Sequence, residues 1–181
     1  MSPAAAAPFP PYTYVPGRTP HPESDPAGHS YGQPRVAPPP LDAERWWRSP
    51  AYQRGVSLFN HGYYWEAHEV WEGLWLAAGR RGPTARLLQA LIHLAAAGVK
   101  AREGLPAGVV SHARRAADHL ARLPAAAPCA GLEREALVSL CRRVEAEAAA
   151  LVAAGADLRP APLLPLLSLV PPAAAAEASH G

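Results

Sequence analysis

The chain has 181 residues, 17 of them basic and 15 acidic, for a formal net charge of +2. That length fits one domain plus tails, and the near balance of charge leaves no concentrated field for steering nucleic acid or an anionic membrane. All the basic residues but Lys100 are Arg, and Ala is abundant throughout, a bias of GC-rich coding that makes either count weak evidence of function. Two isolated cysteines, Cys129 and Cys141, exclude a disulfide framework or zinc ribbon and fit a reducing cytoplasm. The opening Met-Ser-Pro-Ala has neither the basic start nor the apolar run of a secretory signal. The longest nearly apolar stretch, 87–99, contains Gln89 and His93 and falls short of the roughly 20 residues that span a bilayer, so no membrane insertion is expected.

Residues 1–45 read as a Pro-rich extended arm, with 12 of the chain's 22 prolines before position 41. Tyr12, Tyr14, Tyr31, His21 and His29 give it more grip than a plain linker. The spacing predicts an all-α bundle of about five helices over 46–155. Ser49 and Pro50 make a helix start, followed by Tyr52, Val56, Leu58 and Phe59. Asn60-His61-Gly62 punctuates the chain before a second helix over 63–78, stopped at Gly79. Pro83 and Thr84 open a third, 85–103, apolar nearly all round and therefore central. A fourth runs over 107–123 between Pro106 and Pro124, and a fifth over 132–154, closed by Gly155. Residues 156–181 form a Pro- and Ala-rich tail, of which 163–170 is expected to pack on the bundle. Nothing alternates with strand period, and there is no internal repeat.

Chemistry concentrates in 59–75, which is dense in aromatic, imidazole and carboxylate groups. At about 100° per residue, Tyr64, Trp65, His68, Trp71, Glu72 and Trp75 share one inward face, with Glu66, Glu69, Gly73 and Ala77 turned away. A carboxylate among indoles is costly unless paired, and Glu72 stands one turn from His68. Two readings follow: a buried hydrogen-bond network, or two ligands of one divalent metal ion with Glu69 as the acid/base group. A metal needs a third ligand, and His93 or Gln89 on the third helix, or His21 or His29 on the arm, are the available groups. Gln89 and His93 lie four apart in an otherwise apolar helix and also fit a plain core pair. His-Glu-x-x-Glu at 68–72 resembles the zincin helix with its last His replaced by Glu, and so lacks a protease ligand. The Arg pairs 80–81, 114–115 and 142–143 read as solvated faces, and Cys141 as a small packing residue.

The run 59–75, followed by Leu87-Leu88-Gln89-Ala90-Leu91-Ile92-His93-Leu94, resembles the bacterial and archaeal family called domain of unknown function 309, over about the middle third of the chain. The family is recognised by a His-x-x-x-Glu-x-x-Trp/Tyr signature, here His68, Glu72 and Trp75. The resemblance implies an all-helical fold and a metal-binding role for the signature, with His93 standing where members often carry Gln. It supplies no reaction, substrate or partner. Two function classes remain: a metal-dependent enzyme of unknown substrate, and a non-catalytic interaction module whose aromatic-lined groove takes the chain's own arm or a foreign Pro-rich segment.

Overall fold

A computed structural model describes residues 8–155, 164–165 and 167–169. Its helices are α1 (Pro50–Asn60), α2 (Tyr64–Ala77), α3 (Gly82–Glu103), α4 (Pro106–Ala121) and α5 (Arg134–Ala153), with no strand among the described residues. The fold is all-α, as the periodicity implies, and each helix packs chiefly on its neighbours in sequence.

Local chemistry sets the ends. The Ser49 hydroxyl accepts from the Tyr52 backbone N–H at 3.2 Å, capping α1 with Pro50 in its first turn. A single 3-10 turn, Trp46–Arg48, precedes it and buries Trp46; only the tertiary contacts of that indole explain it. α3 begins at Gly82, one turn before the expected start, because Pro83 is compatible with a first helical turn. It ends at Gly104, whose φ of +81° lets the Leu105 N–H reach back to the Lys100 carbonyl at 2.9 Å.

α3 is central, lying between α2 and α4. Leu87, Leu88, Leu91 and Leu94 are essentially inaccessible, and across from them α2 buries Tyr64, Ala67, Trp71 and Leu74. The approach of α2 to α3 depends on Gly98, where a Cβ would stand 2.4 Å from Tyr64 Cγ. The Tyr64 hydroxyl in turn accepts the Leu164 backbone N–H at 2.7 Å. Asn60 holds Leu167 through both its carbonyl and its N–H, at 2.9 and 2.8 Å. Leu164 and Leu167 are buried, so this part of the tail packs on the bundle; residues 163, 166 and 170 of the predicted stretch lie outside the described residues.

The arm differs from the extended segment expected. Its residues 15–33 fold into successive turns, with the Gly28 N–H on the Asp25 carbonyl at 2.8 Å and the Ser30 N–H on the Pro22 carbonyl at 3.0 Å. Gly28 closes this loop because a Cβ there would meet the His21 carbonyl oxygen at 2.3 Å. Prolines limit the backbone without forbidding turns, and the side chains of 12–35 then meet α2.

Two substitutions test this packing. Leu91→Ala should cost about 2–5 kcal/mol in urea unfolding, as for a fully enclosed leucine. Gly98→Ala should destabilise by about 1–3 kcal/mol despite the better helix propensity of Ala, because the clash falls on the base of a fixed ring. A neutral Gly98→Ala would mean that the two helices are not in this close contact.

Candidate metal centre

α2 is used on nearly all sides. Tyr64, Ala67, Trp71 and Leu74 form its core-facing stripe, while Trp65, His68, Glu72 and Trp75 lie half-buried along the stripe's margin. His68 and Glu72 are thus not sealed among indoles, and the His68 side chain keeps 24 % of its exposure. The carboxylates assigned to the outer face are not free either. Glu66 is the most buried charged side chain described, and Glu69 retains 22 % exposure. The reason is the arm, which covers the side of α2 that a bundle alone would leave in water.

The ligand atoms of His68, Glu69 and Glu72 all lie within 4.8 Å of one another, and among the described residues no other three His, Cys, Asp or Glu side chains converge in this way. His68 Nδ1 stands 3.4 Å from Glu69 Oε1. The His68 Nδ1 atom is buried, and its contact with Glu69 Oε1 is longer than an ordinary hydrogen bond. The His68 ring is held by stacking on Trp65, 5.9 Å between centroids and 14° from parallel. Glu69 also pairs with Arg35 of the arm, which pairs with Glu23 at 2.7 Å. Burial pushes the Glu69 carboxyl up, but nearby His68 and Arg35 outweigh it and hold the group below the usual carboxylate range.

The donor set fits a divalent ion. Ligand atoms each about 2.1 Å from one ion stand about 3.0–3.4 Å apart at octahedral or tetrahedral angles, so atoms as far apart as 4.8 Å close by about 1.5 Å through side-chain rotation when an ion binds. One imidazole and two carboxylates suit Zn2+, Mn2+ or Fe2+ and leave coordination positions open. Glu69 also rims a cleft of about 560 Å³ between arm and α2, lined by Arg35, Val36, Pro38, Val70 and Leu76. Trp75, the last signature residue, buries its indole N–H without a partner among the described residues.

None of the third ligands considered from sequence joins this cluster; the third group is Glu69. His29 Nε2 lies 3.2 Å from Glu66 Oε1, its Nδ1 lies 2.9 Å from Ser30 Oγ, and its ring meets Tyr12 edge-on. His21 accepts the backbone N–H groups of Glu23 and Ser24 at Nδ1, both at 3.2 Å, and packs edge-on against Trp65 with Tyr14. No side-chain hydrogen bond joins Gln89 to His68, Glu72 or His93 among the described residues. His93 turns to α4 instead, its Nδ1 3.2 Å from that of His112, with His119 stacked on its ring at 5.3 Å.

Sequence reasoning missed three residues. Glu66 receives the Thr13 hydroxyl and the Tyr14 backbone N–H, both at 2.9 Å, besides His29. Nothing local to α2 marks it, because its partners are 37–53 residues away. His112 and His119 carried a legible signal: seven apart on α4, they occupy one helix face.

The histidine group has a pH signature. Burial, and then the charges of His112, His119, Arg115 and His68, push His93 down to about 4; burial and neighbouring Arg side chains also lower His112 and His119. Between about pH 6.5, where a free His titrates, and about pH 4, the unfolded chain binds a proton at position 93 that the folded chain refuses, so falling pH costs stability. His93→Gln should therefore gain on the wild type as pH drops from 7 to 4.5 in urea unfolding with chelator present. A stability difference that stays constant over that range would rule out the depressed His93.

No curated protein and no solved structure matches the chain. The match of the middle third runs from α1 into α4, includes His68, Glu69, Glu72, Trp75, Gln89 and His93, and ends on His112: residues 52–112 match the family described as "Domain of unknown function (DUF309)".

Proposed function

We propose that this is a helical-bundle protein that binds one divalent metal ion through His68, Glu69 and Glu72, beside a cleft able to admit a small molecule. The observation that carries the reading is that one ligand atom from each of the three side chains lies within 4.8 Å of the others on a half-buried margin of α2. Glu69, considered from sequence as an acid/base group, serves here as a ligand. Its low proton affinity keeps it anionic at neutral pH, as ligation requires. Trp65 orients the His68 ring, and Arg35 fixes the second Glu69 oxygen, so both act as outer supports of the ligands. A bound divalent ion supplies Lewis acidity; the chain supplies a half-buried setting in which that charge is only partly screened. A cytoplasmic location belongs to the same proposal and rests on the free thiols of Cys129 and Cys141, the latter raised to about 12 by burial and chemically quiet.

The rival reading is a non-catalytic module whose aromatic-lined groove takes the chain's own arm or a foreign Pro-rich segment; Tyr14 and His21 against Trp65 support its own-arm form and leave less support for a foreign peptide.

Titration of untagged, metal-stripped protein with Mn2+, followed by electron paramagnetic resonance, tests the proposal. The wild type should take up one Mn2+ per chain and melt at a higher temperature with it. Glu72→Gln and His68→Gln should each weaken binding by more than about tenfold and lose the thermal shift. Uptake unchanged in both variants would overturn the assignment.

A further inference from the structure

Apart from the α2 cluster, His93, His112 and His119 bring three imidazoles together between α3 and α4. We infer that His93 and His112 form a second metal site, for a nitrogen-preferring divalent cation of the Zn2+ type. It is distinct from the His68–Glu69–Glu72 cluster and does not depend on it.

The geometry is that of two ligands of one ion. Zn–N bonds of about 2.05 Å at tetrahedral angles place two imidazole nitrogens about 3.3 Å apart. His93 Nδ1 and His112 Nδ1 are 3.2 Å apart, on adjacent helices that pack along their lengths. Without a metal, the same contact is one imidazole hydrogen bond, N–H to N, which leaves two nitrogens sharing one proton. When a cation takes its place, that proton moves to the Nε2 of the ring that held it, so both rings stay neutral and neither helix has to move. His119 stacks on His93 at 20° from parallel and so fixes its plane; water fills the remaining coordination positions.

The electrostatic surroundings cut both ways. Arg115 and Lys100 act on His112 against a cation, and His68 acts on both histidines. Glu103 opposes them, and it holds Lys100 Nζ at 2.8 Å. Both imidazoles are about half-buried and biased to the neutral form that ligation needs, so at neutral pH no proton has to be expelled from a doubly protonated ring. An all-imidazole pair prefers Zn2+, Ni2+ or Cu2+ over Mn2+ or Mg2+, whereas the carboxylate-rich α2 cluster accepts Mn2+. Mn2+ therefore reports the α2 cluster, whereas Zn2+ can enter both sites and its two classes are told apart by the substitutions.

The test uses the untagged full chain, stripped of metal and titrated with Zn2+ by calorimetry, with imidazole ¹⁵N spectra recorded in parallel. His93→Gln and His112→Gln should each abolish one class of Zn2+ site or weaken it more than the about 10–100-fold that losing a supporting partner costs. Glu72→Gln should leave that class within about twofold while removing Mn2+ uptake. In the wild type, Zn2+ should move the Nδ1 resonances of His93 and His112, and also the Nε2 resonance of the ring that carried the Nδ1 proton, which becomes N–H, a readout that needs no variant to fold. Zn2+ binding unaffected by either histidine substitution, or Nδ1 signals that do not respond, would make the pair a hydrogen bond and nothing more. If Mn2+ uptake by the wild type also fails while the Nδ1 shifts persist, the α2 cluster is refuted and this site stands.

Discussion

The arrangement around the candidate site depends on one buried carboxylate. Glu66 retains 7 % of its exposure, and an anion so enclosed is tolerated only with its oxygens satisfied. The arm satisfies them with a hydroxyl, a backbone N–H and an imidazole, all from residues 13–29. Once this contact forms, Tyr14 and His21 are brought to Trp65, and Arg35 to Glu69. A segment that reads as a tail thus becomes one wall of the cleft.

The same contact explains why α2 departs from a simple two-faced helix. An amphipathic helix on a bundle surface has one dry stripe and one wet one. α2 has a core stripe against α3, a second covered side under the arm, and between them a half-exposed margin carrying His68, Glu69 and Glu72. Metal-ligating groups need this intermediate setting: dry enough that water does not screen them, open enough for an ion to enter. Trp65 serves two of these regions, stacking on His68 with one edge of its environment and receiving the arm with another.

α3 links the two clusters. Its apolar sides pack against α2 and α4, and the polar step at His93 faces α4, where His112 and His119 meet it. His68 remains near enough for its charge to be felt at His93 and His112. Two clusters of different side-chain chemistry therefore share one core, held by leucines that leave little room for either to drift.

Helix number, order and caps were legible in the chain itself, because they rest on local rules: Ser49 before Pro50, Gly104 after an apolar run, and a 3.6-residue period in each segment. That His68 and Glu72 stand on adjacent turns was likewise readable, since four residues of separation place them so whatever surrounds them, but the close contact of His68 is with Glu69. What period alone could not decide was which sides of α2 would be covered. A helical wheel assigns one inward direction, whereas the arm covers the outward one, and that contact joins residues up to 53 apart in sequence. Glu66 and Glu69 were accordingly placed in solvent by pattern and brought into contact by the fold. His93 showed the same limit from the other side: its position on α3 was evident, but its partner was decided by the rotation of α3 relative to α4, a property of packing between helices that no single helix encodes.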